Sequence, residues 1–568
     1  MAKKQFSGKV YLELNLGSNT KYKSLRRTRP QSNLELFRVI ERAGKDKKIG
    51  GIILNLSSFN AERETLWELR NSLERFKSTG KKICAFLSSA DLDKYCLATA
   101  ADKIVFDEQG GLALTGYCWG RSFVKHSLEK IGVAVRELRY MEYKSAMETF
   151  TRNSLSDADR KQYGEILDDI MEVTREAVTK ARGWTAEEFD TVLNDFLFSS
   201  KSALERGLVD SIGRKDAVIK TINELSGQEI KHFAVYGNKE TSLTEAEMLY
   251  RAPRAGGLFC KSPIIAVVYA SGTTDMESGM AAGALAHTIK EVLENKRVKA
   301  MVVRMNSPGG SAEAADYISE AIKAVKEKIP VVVSMGAVAA SGGYWASMSA
   351  NHIVASPLTL TGSIGVIASW FYENGLNKKL GLTVDYMQRG KHSDLTTGFF
   401  LPHRNLDEEE ENRAKQLIID SYNDFTAKVA AFRGMDIDRV ESLAQGRVYS
   451  GAAALKAGLI DSLGGLDDAI RIAKELANIS AKKKITYKEY PKPKFKDRLL
   501  EKLLSSQTSI GTFALTKLAN NYGETAAALA ASFLSTSLPE EISFRIAHNG
   551  KALPILPLDS QLLKVSYQ

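Results

Sequence analysis

At 568 residues the chain exceeds what one hydrophobic core usually supports, so two or more domains are expected. Its 44% hydrophobic and 26% charged residues exclude a disordered protein. A net charge of +10 without an arginine stripe among aromatics speaks against nucleic acid and leaves contact with an anionic membrane surface open.

In chain order, MAKKQFSGKVYLELNL passes from a short basic start, with no secretory signal, into an alternating strand at 9–16. Apolar runs at 50–56 and 82–88 read as buried strands separated by amphipathic helical segments, and a long helix is expected over 156–181. Residues 229–257 join this series to a second one, with the boundary near 245–260. The second series has strands at 263–270, 300–305 and 330–336, and helices at 311–328 and 407–432. Serine or aspartate ahead of an acidic first turn caps both long helices. A lysine-rich run with two prolines, 481–498, reads as a solvated linker or a membrane-surface contact, and 499–537 as one or two helices. The apolar run 525–534 is too short to cross a bilayer, so no anchor is expected in this chain. The fold class is α/β: two tandem repeats of parallel sheet with flanking helices, plus a C-terminal helical extension. The expected domains are 1–245, 260–480 and 481–568. Four cysteines without a CxxC pair and seven dispersed histidines suggest neither a disulfide framework nor a metal site, and no cofactor is expected.

The two series superpose with an offset of 249, drifting to 251 where 198–213 matches 449–464. In this registration Leu92 falls on Ser341 and Lys144 on Ser393, so each half keeps what the other has lost. The spacing is the same in both halves, 144 − 92 = 52 and 393 − 341 = 52, as one ancestral serine–lysine pair would leave it. Ser341, in SMGAVAASGGYWAS, has small neighbours that give room for a tetrahedral centre, although a serine there can also serve only as a helix N-cap. Lys144, in MEYKSAMETF, must be uncharged to act as a base, and burial can lower a lysine pKa by about 3–5 units. Gly309 and Gly310 form a turn between strand and helix whose amides, with that of Gly342, suit an oxyanion hole. An isolated Pro-Gly-Gly is often an ordinary tight turn, but the first half has Asn60 and Ala61 there, so the turn alone does not require glycines. Ser363, in LTLTGSIGV, is either a turn serine or a hydroxyl that orients the lysine.

Together NSPGGS, AASGGYWAS, TGSIGV and YKSAMETF resemble the signal peptide peptidase A family in its long, double-repeat form, over residues 9–475. The resemblance implies a fold similar to the Clp protease subunit and the crotonase superfamily, with Ser341 as nucleophile, Lys144 as general base and Ser363 as the lysine-orienting group. It also implies that Gly309, Gly310 and Gly342 lie at the oxyanion hole. Short apolar peptides, remnants of signal peptides, are the implied substrates, and a bowl-like homotetramer on a membrane is the implied assembly. Two features depart from the family: Thr149 stands where it usually has proline, and the chain starts at the first strand, without the usual transmembrane anchor. Localisation is therefore expected to be membrane-associated by resemblance, or peripheral or cytoplasmic. Three rival readings are a crotonase-like acyl-coenzyme A enzyme, a serine–histidine–aspartate peptidase using His352 or His392, and a non-catalytic scaffold.

Overall fold

Buried runs of β-branched and aliphatic residues need covering on both faces, and parallel strands with crossover helices supply that. In the computed structural model, which describes residues 9–16, 33–237, 239, 241–251, 262–480 and 483–491, they form two main sheets, one per repeat, and a small two-stranded one. The strands of the first repeat are β1 (Val10–Asn15), β2 (Ile49–Asn55), β3 (Lys82–Asp91), β4 (Lys103–Ala113), β5 (Val133–Arg139), β6 (Leu197–Ser199), β7 (Ser211–Ile212), β8 (His232–Gly237) and β9 (Met248–Leu249). Those of the second are β10 (Ile264–Ser271), β11 (Val298–Ser307), β12 (Val331–Ala340), β13 (His352–Ala355), β14 (Leu360–Gly362), β15 (Ile367–Glu373), β16 (Val448–Ser450), β17 (Ser462–Leu463) and β18 (Thr486–Tyr490).

The sheet orders are β6-β4-β3-β2-β1-β8-β9 and β16-β14-β12-β11-β10-β18, so the sequence repeat is a repeat of topology. The single strand β4 corresponds to the pair β13 and β14, interrupted at Pro357, which has no amide to donate to a ladder. The two long helices, Asp157–Arg182 and Glu408–Arg433, start and end 251 residues apart (408 − 157 and 433 − 182). Ser156 and Asp407 cap them by accepting from Asp159 N and Glu410 N.

Two stretches depart from expectation. Part of the lysine-rich run, Thr486–Tyr490, is not a solvated linker but the parallel neighbour of β10, with Tyr490 1% exposed. Thr486 and Tyr490 are buried and residues 487–489 half-buried, as befits a strand at a sheet edge. Likewise the joining segment holds β8, which pairs with β1 throughout its length. The helices expected over 499–537, the apolar run 525–534 and the basic start of the chain lie outside the described residues. No described helix is long and apolar enough to cross a membrane.

Two apolar clusters, a strand pairing and an ionic contact fasten the repeats together. A continuous core runs from Leu12, Leu54 and Phe37 to Val267, Val302, Leu466 and Ile470, and a smaller cluster packs Tyr163, Ile166 and Ile170 on Val338, Leu360 and Val448. Each such aliphatic side chain contributes about 1.5–3 kcal/mol on burial. In addition β5 pairs antiparallel with β15 from Val133↔Glu373 to Arg139↔Ile367, a two-stranded sheet with one strand from each repeat. Arg304 on β11 crosses the seam to Glu64 and to Glu68 (2.8 Å), and also donates to Ser334 Oγ (2.8 Å) and Met335 O (3.1 Å).

Removing that guanidinium strands two buried carboxylates. Arg304→Met is expected to destabilise the fold by about 3–5 kcal/mol near neutral pH, read as a lower urea midpoint. Burial already raises the Glu68 carboxyl well above its usual range. Without Arg304 the folded state favours the protonated acids more strongly than the unfolded chain does. The variant's deficit should therefore shrink as pH falls towards about 5 and grow as it rises towards about 8.

Candidate active site

Strand β12, buried along its whole length, delivers Ser341 to the start of a helix, Gly342–Ser347. Ser341 adopts φ 57° and ψ −117°, a conformation that non-glycine residues enter only when their surroundings enforce it. Its amide donates to Gly362 O (2.7 Å) and its carbonyl accepts from Trp345 N (2.9 Å). Although Ser341 occupies the N-cap position, its side chain makes no cap bond. Instead Ser341 Oγ accepts from Lys144 Nζ at 2.6 Å. The helix begins this close to the Pro-Gly-Gly turn because it carries no side chains there. A Cβ on Gly343 would sit 2.6 Å from Ser307 O, and one on Gly342 2.6 Å from Thr274 Oγ1 and 3.2 Å from Gly309 Cα.

Lys144 lies in the turn after β5 and is 1% exposed. Besides Ser341, its amine donates to Ser363 Oγ and to Ser363 O, both at 2.9 Å. Ser363 too has a left-handed backbone, φ 51°, and its amide donates to Arg447 O (2.7 Å). Sequence reasoning missed Gly446, which supports the other side of the lysine. At φ +80° it places its Cα hydrogen where any Cβ would stand 2.7 Å from Lys144 N and Cβ. Tyr143 N donates to Gln445 O (3.1 Å) and Gly446 N to Ile364 O (2.8 Å), so this tight turn joins the lysine loop to the Ser363 loop. The repeat held a signal for it: with the offset of 251, Gln445 and Gly446 fall on Asn194 and Asp195, another glycine kept by one half alone.

The three candidate oxyanion donors are not equivalent. Gly309 N already donates to Ser307 Oγ (3.2 Å) and Gly309 O accepts from Thr274 N (2.9 Å). Ser311 N completes a parallel bridge to Thr274 O (2.6 Å), which turns the intervening Gly310 amide away from Thr274. Gly342, first residue of its helix, has no intrahelical acceptor for its amide. Gly310 N lies 3.3 Å from where a Cβ on Gly342 would be. The described hydrogen bonds thus leave the Gly310 and Gly342 amides, not that of Gly309, available side by side.

In the first repeat the corresponding ground is filled. Leu92 is buried, and Asp93, the counterpart of Gly342, accepts from Arg63 Nε (3.1 Å) and Tyr117 OH (2.6 Å). Burial, and secondarily the Asp93 charge, hold the Tyr117 hydroxyl well above the usual phenol range. The candidate histidines are engaged elsewhere, His352 with Ser462 Oγ (2.9 Å) and His392 with Glu410 Oε1 (2.7 Å). Among the described residues His392, Asp407 and Glu410 form the one group with metal-ligand spacing. Arg404 already binds both Glu410 oxygens (2.7 and 2.8 Å), which favours an ion-pair cluster over a metal site.

The model of peptidase family S49 matches residues 75–229 and 323–480, one stretch in each repeat. The chain is 33% identical over 479 residues to the chloroplastic serine protease SPPA of Arabidopsis thaliana, covering 82% of this chain and 69% of that one. It is 31% identical over 474 residues to Protease 4 of Salmonella typhi, covering 80% and 73%. Over 201 residues it is 36% identical to a putative signal peptide peptidase SppA of Enterococcus faecium, 35% of this chain and 57% of that one.

The packing of Gly446 on Lys144 is directly testable. Gly446→Ala puts a methyl group into the lysine backbone at an unfavourable φ, and the loop must shift. If the lysine serves catalysis, peptidase activity should fall by about 100-fold, as for a misplacement of about 1 Å, with little change in circular dichroism.

Proposed function

Because this chain belongs to peptidase family S49, as a double-repeat serine peptidase of the signal peptide peptidase A type, we propose that it hydrolyses peptides with a serine–lysine pair, Ser341 and Lys144. The observation that carries this reading is the 2.6 Å contact between Lys144 Nζ and Ser341 Oγ, formed within one chain by side chains of different repeats. A neutral amine has two N–H bonds and one lone pair. Ser363 O and Ser363 Oγ accept the two N–H bonds, which aims the lone pair at the Ser341 hydroxyl proton.

Ser341 Oγ then attacks the scissile carbonyl as Lys144 takes its proton, a transfer that contributes about 10²–10⁴-fold. The Gly310 and Gly342 amides receive the oxyanion, each donor worth about 3–4 kcal/mol. Lys144 next protonates the leaving amine and activates the water that releases the acyl group. In this scheme Gly309 shapes the turn without donating. We assign the base to the N-terminal repeat, 1–245, and the nucleophile to the second, 260–480. Short apolar peptides, including signal-peptide remnants, are the proposed substrates, in keeping with the name of the Enterococcus relative.

The assembly follows from the same asymmetry. Within the chain β5 receives β15, while their repeat counterparts, 382–388 and 118–124, form no strand. The 380–400 region exposes Met387 (94%), Phe399 (67%) and Phe400 (60%). A second copy that offers its 118–124 segment to this surface would repeat the contact head to tail and close a ring, with four chains as the proposed number. The double variant Phe399→Asp/Phe400→Asp should then elute at a lower mass by light scattering, and an unchanged mass rules this surface out.

Titration with a fluorophosphonate should plateau at one equivalent per chain, since only one repeat keeps each member of the pair; two equivalents contradict the reading. Lys144→Ala should lower kcat/KM on an apolar reporter peptide by about 10³-fold or more, about 4 kcal/mol, while remaining folded.

A further inference from the structure

The turn that carries Lys144 is held by a buried polar assembly on the Asp157–Arg182 helix. Asp159 Oδ1 accepts from Ser145 Oγ at 2.5 Å, and Asp159 Oδ2 pairs with Arg121 Nη1 at 2.8 Å, the two side chains being 0% and 3% exposed. The same Arg121 nitrogen donates to Ser145 O (3.0 Å). One turn further along the helix, Gln162 Nε2 donates to Asp159 Oδ1 (2.7 Å) and Tyr143 O (3.4 Å). Gln162 Oε1 accepts from Val448 N (3.1 Å) in the other repeat.

Building on the serine–lysine reading, we propose that Asp159 and Gln162 are positioning residues, a relay that holds the Ser145 side chain and the Tyr143 carbonyl on either side of Lys144 and fastens them to the strand supporting Ser363 and Ser341. The relay combines hydrogen bonds, one ion pair and one strand pairing. Val448 lies opposite Gly362 in the β14–β16 pair. Gly362 O accepts from Ser341 N (2.7 Å), and Arg447 O accepts from Ser363 N (2.7 Å). Two further side chains on the same face of the helix, Glu165 and Asp169, bind Arg447 and Ser450. Residues 162, 165 and 169 thus face one strand of the second repeat at helical spacing.

The second repeat provides the internal comparison. At the offset of 251, Asp159 corresponds to Glu410 and Gln162 to Arg413 (159 + 251 and 162 + 251). At the offset of 249, Ser145 corresponds to Asp394. There too the loop is tied to the first turn of the helix, with Arg404 bridging Asp394 (2.6 Å) and Glu410 (2.7 Å). Arg413, however, is 76% exposed and pairs only locally with Glu409 (3.3 Å). Loop anchoring is therefore common to both repeats, and the second helix also crosses the seam through Glu411 to Arg136 of β5 (2.7 Å), but the buried amide bridge of Gln162 has no counterpart at Arg413. A buried amide with both its ends bonded to different repeats fixes their separation more tightly than apolar contact does, because hydrogen bonds weaken steeply with angle and distance.

The test compares Gln162→Met, Asp159→Asn, Ser145→Ala and the control Arg413→Met in the full chain. Peptide hydrolysis and the rate of fluorophosphonate labelling are the readouts. The first two variants should lose about 10–100-fold in kcat with KM within about twofold, and labelling should slow in parallel. Ser145→Ala, which removes one hydroxyl, should lose about 3–10-fold, and Arg413→Met nothing. The final labelled fraction should stay at one serine per chain, which separates misplacement of the base from partial unfolding. A kcat within twofold of the parent for Gln162→Met, or a loss carried entirely by KM or by the labelled fraction, overturns the relay. If Gln162→Met and Asp159→Asn do not fold, Ser145→Ala decides: an unchanged kcat overturns the relay. Lys144→Ala is assayed alongside. If it stays active the dyad reading itself fails, whereas an inactive Lys144→Ala beside a fully active Gln162→Met removes only the relay.

Discussion

One contact governs the design of this chain: an amine from the first repeat meets a hydroxyl from the second at 2.6 Å, where neither is open to water. Removing a lysine amine from water is costly unless its hydrogens find acceptors. Ser363 Oγ and Ser363 O provide them, Ser341 Oγ makes the third contact, and all three atoms come from the opposite repeat. Such a contact tolerates only a few tenths of an ångström of slippage between two α/β units. The seam is built to match, with a core that ignores the repeat boundary, an arginine buried between carboxylates and a two-stranded sheet made of one strand from each side.

Duplication followed by complementary loss accounts for the asymmetry. A complete pair in each repeat would need both repeats to present a base loop and a serine strand inside the chain. Among the described residues one such meeting occurs, between the turn after β5 and the end of β12. The unused serine position has become an apolar residue beside a cluster of Arg63, Asp93 and Tyr117, which occupies ground that the glycines leave open in the other repeat. The unused lysine position, Ser393, is exposed on a loop tied down by Arg404. Both changes keep the local fold.

Backbone strain is concentrated at the same place. Ser341 and Ser363 are both non-glycine residues with positive φ, and each is held there by an amide bond to a neighbouring strand or turn. Gly342, Gly343 and Gly446 are where chain approaches chain too closely for a Cβ. Small residues and enforced turns thus bring three separate segments around one lysine, and the rigid sheets behind them carry the strain.

Much of this was legible from residues alone. Strand and helix positions followed from period and capping: the helix expected at 156–181 is Asp157–Arg182, and the strand expected at 330–336 is the start of Val331–Ala340. The duplication and the candidates Ser341 and Lys144 were readable because the halves could be compared position by position, and the family because four motifs resembled it; the structure brings Lys144, Ser341 and Ser363 within hydrogen-bond distance of one another. Local pattern misread Thr486–Tyr490, because a short edge strand set in a lysine- and proline-rich run looks like a linker. Other features depend wholly on tertiary structure. The pairing of β5 with β15 joins segments more than two hundred residues apart, the Gly309 amide turns to Ser307, and Gln162 reaches Val448. Sequence determined which side chains were available, because composition and periodicity act over a few residues. Only the docking of the repeats decided which of them meet, because a hydrogen bond depends on distance in space and not on separation along the chain.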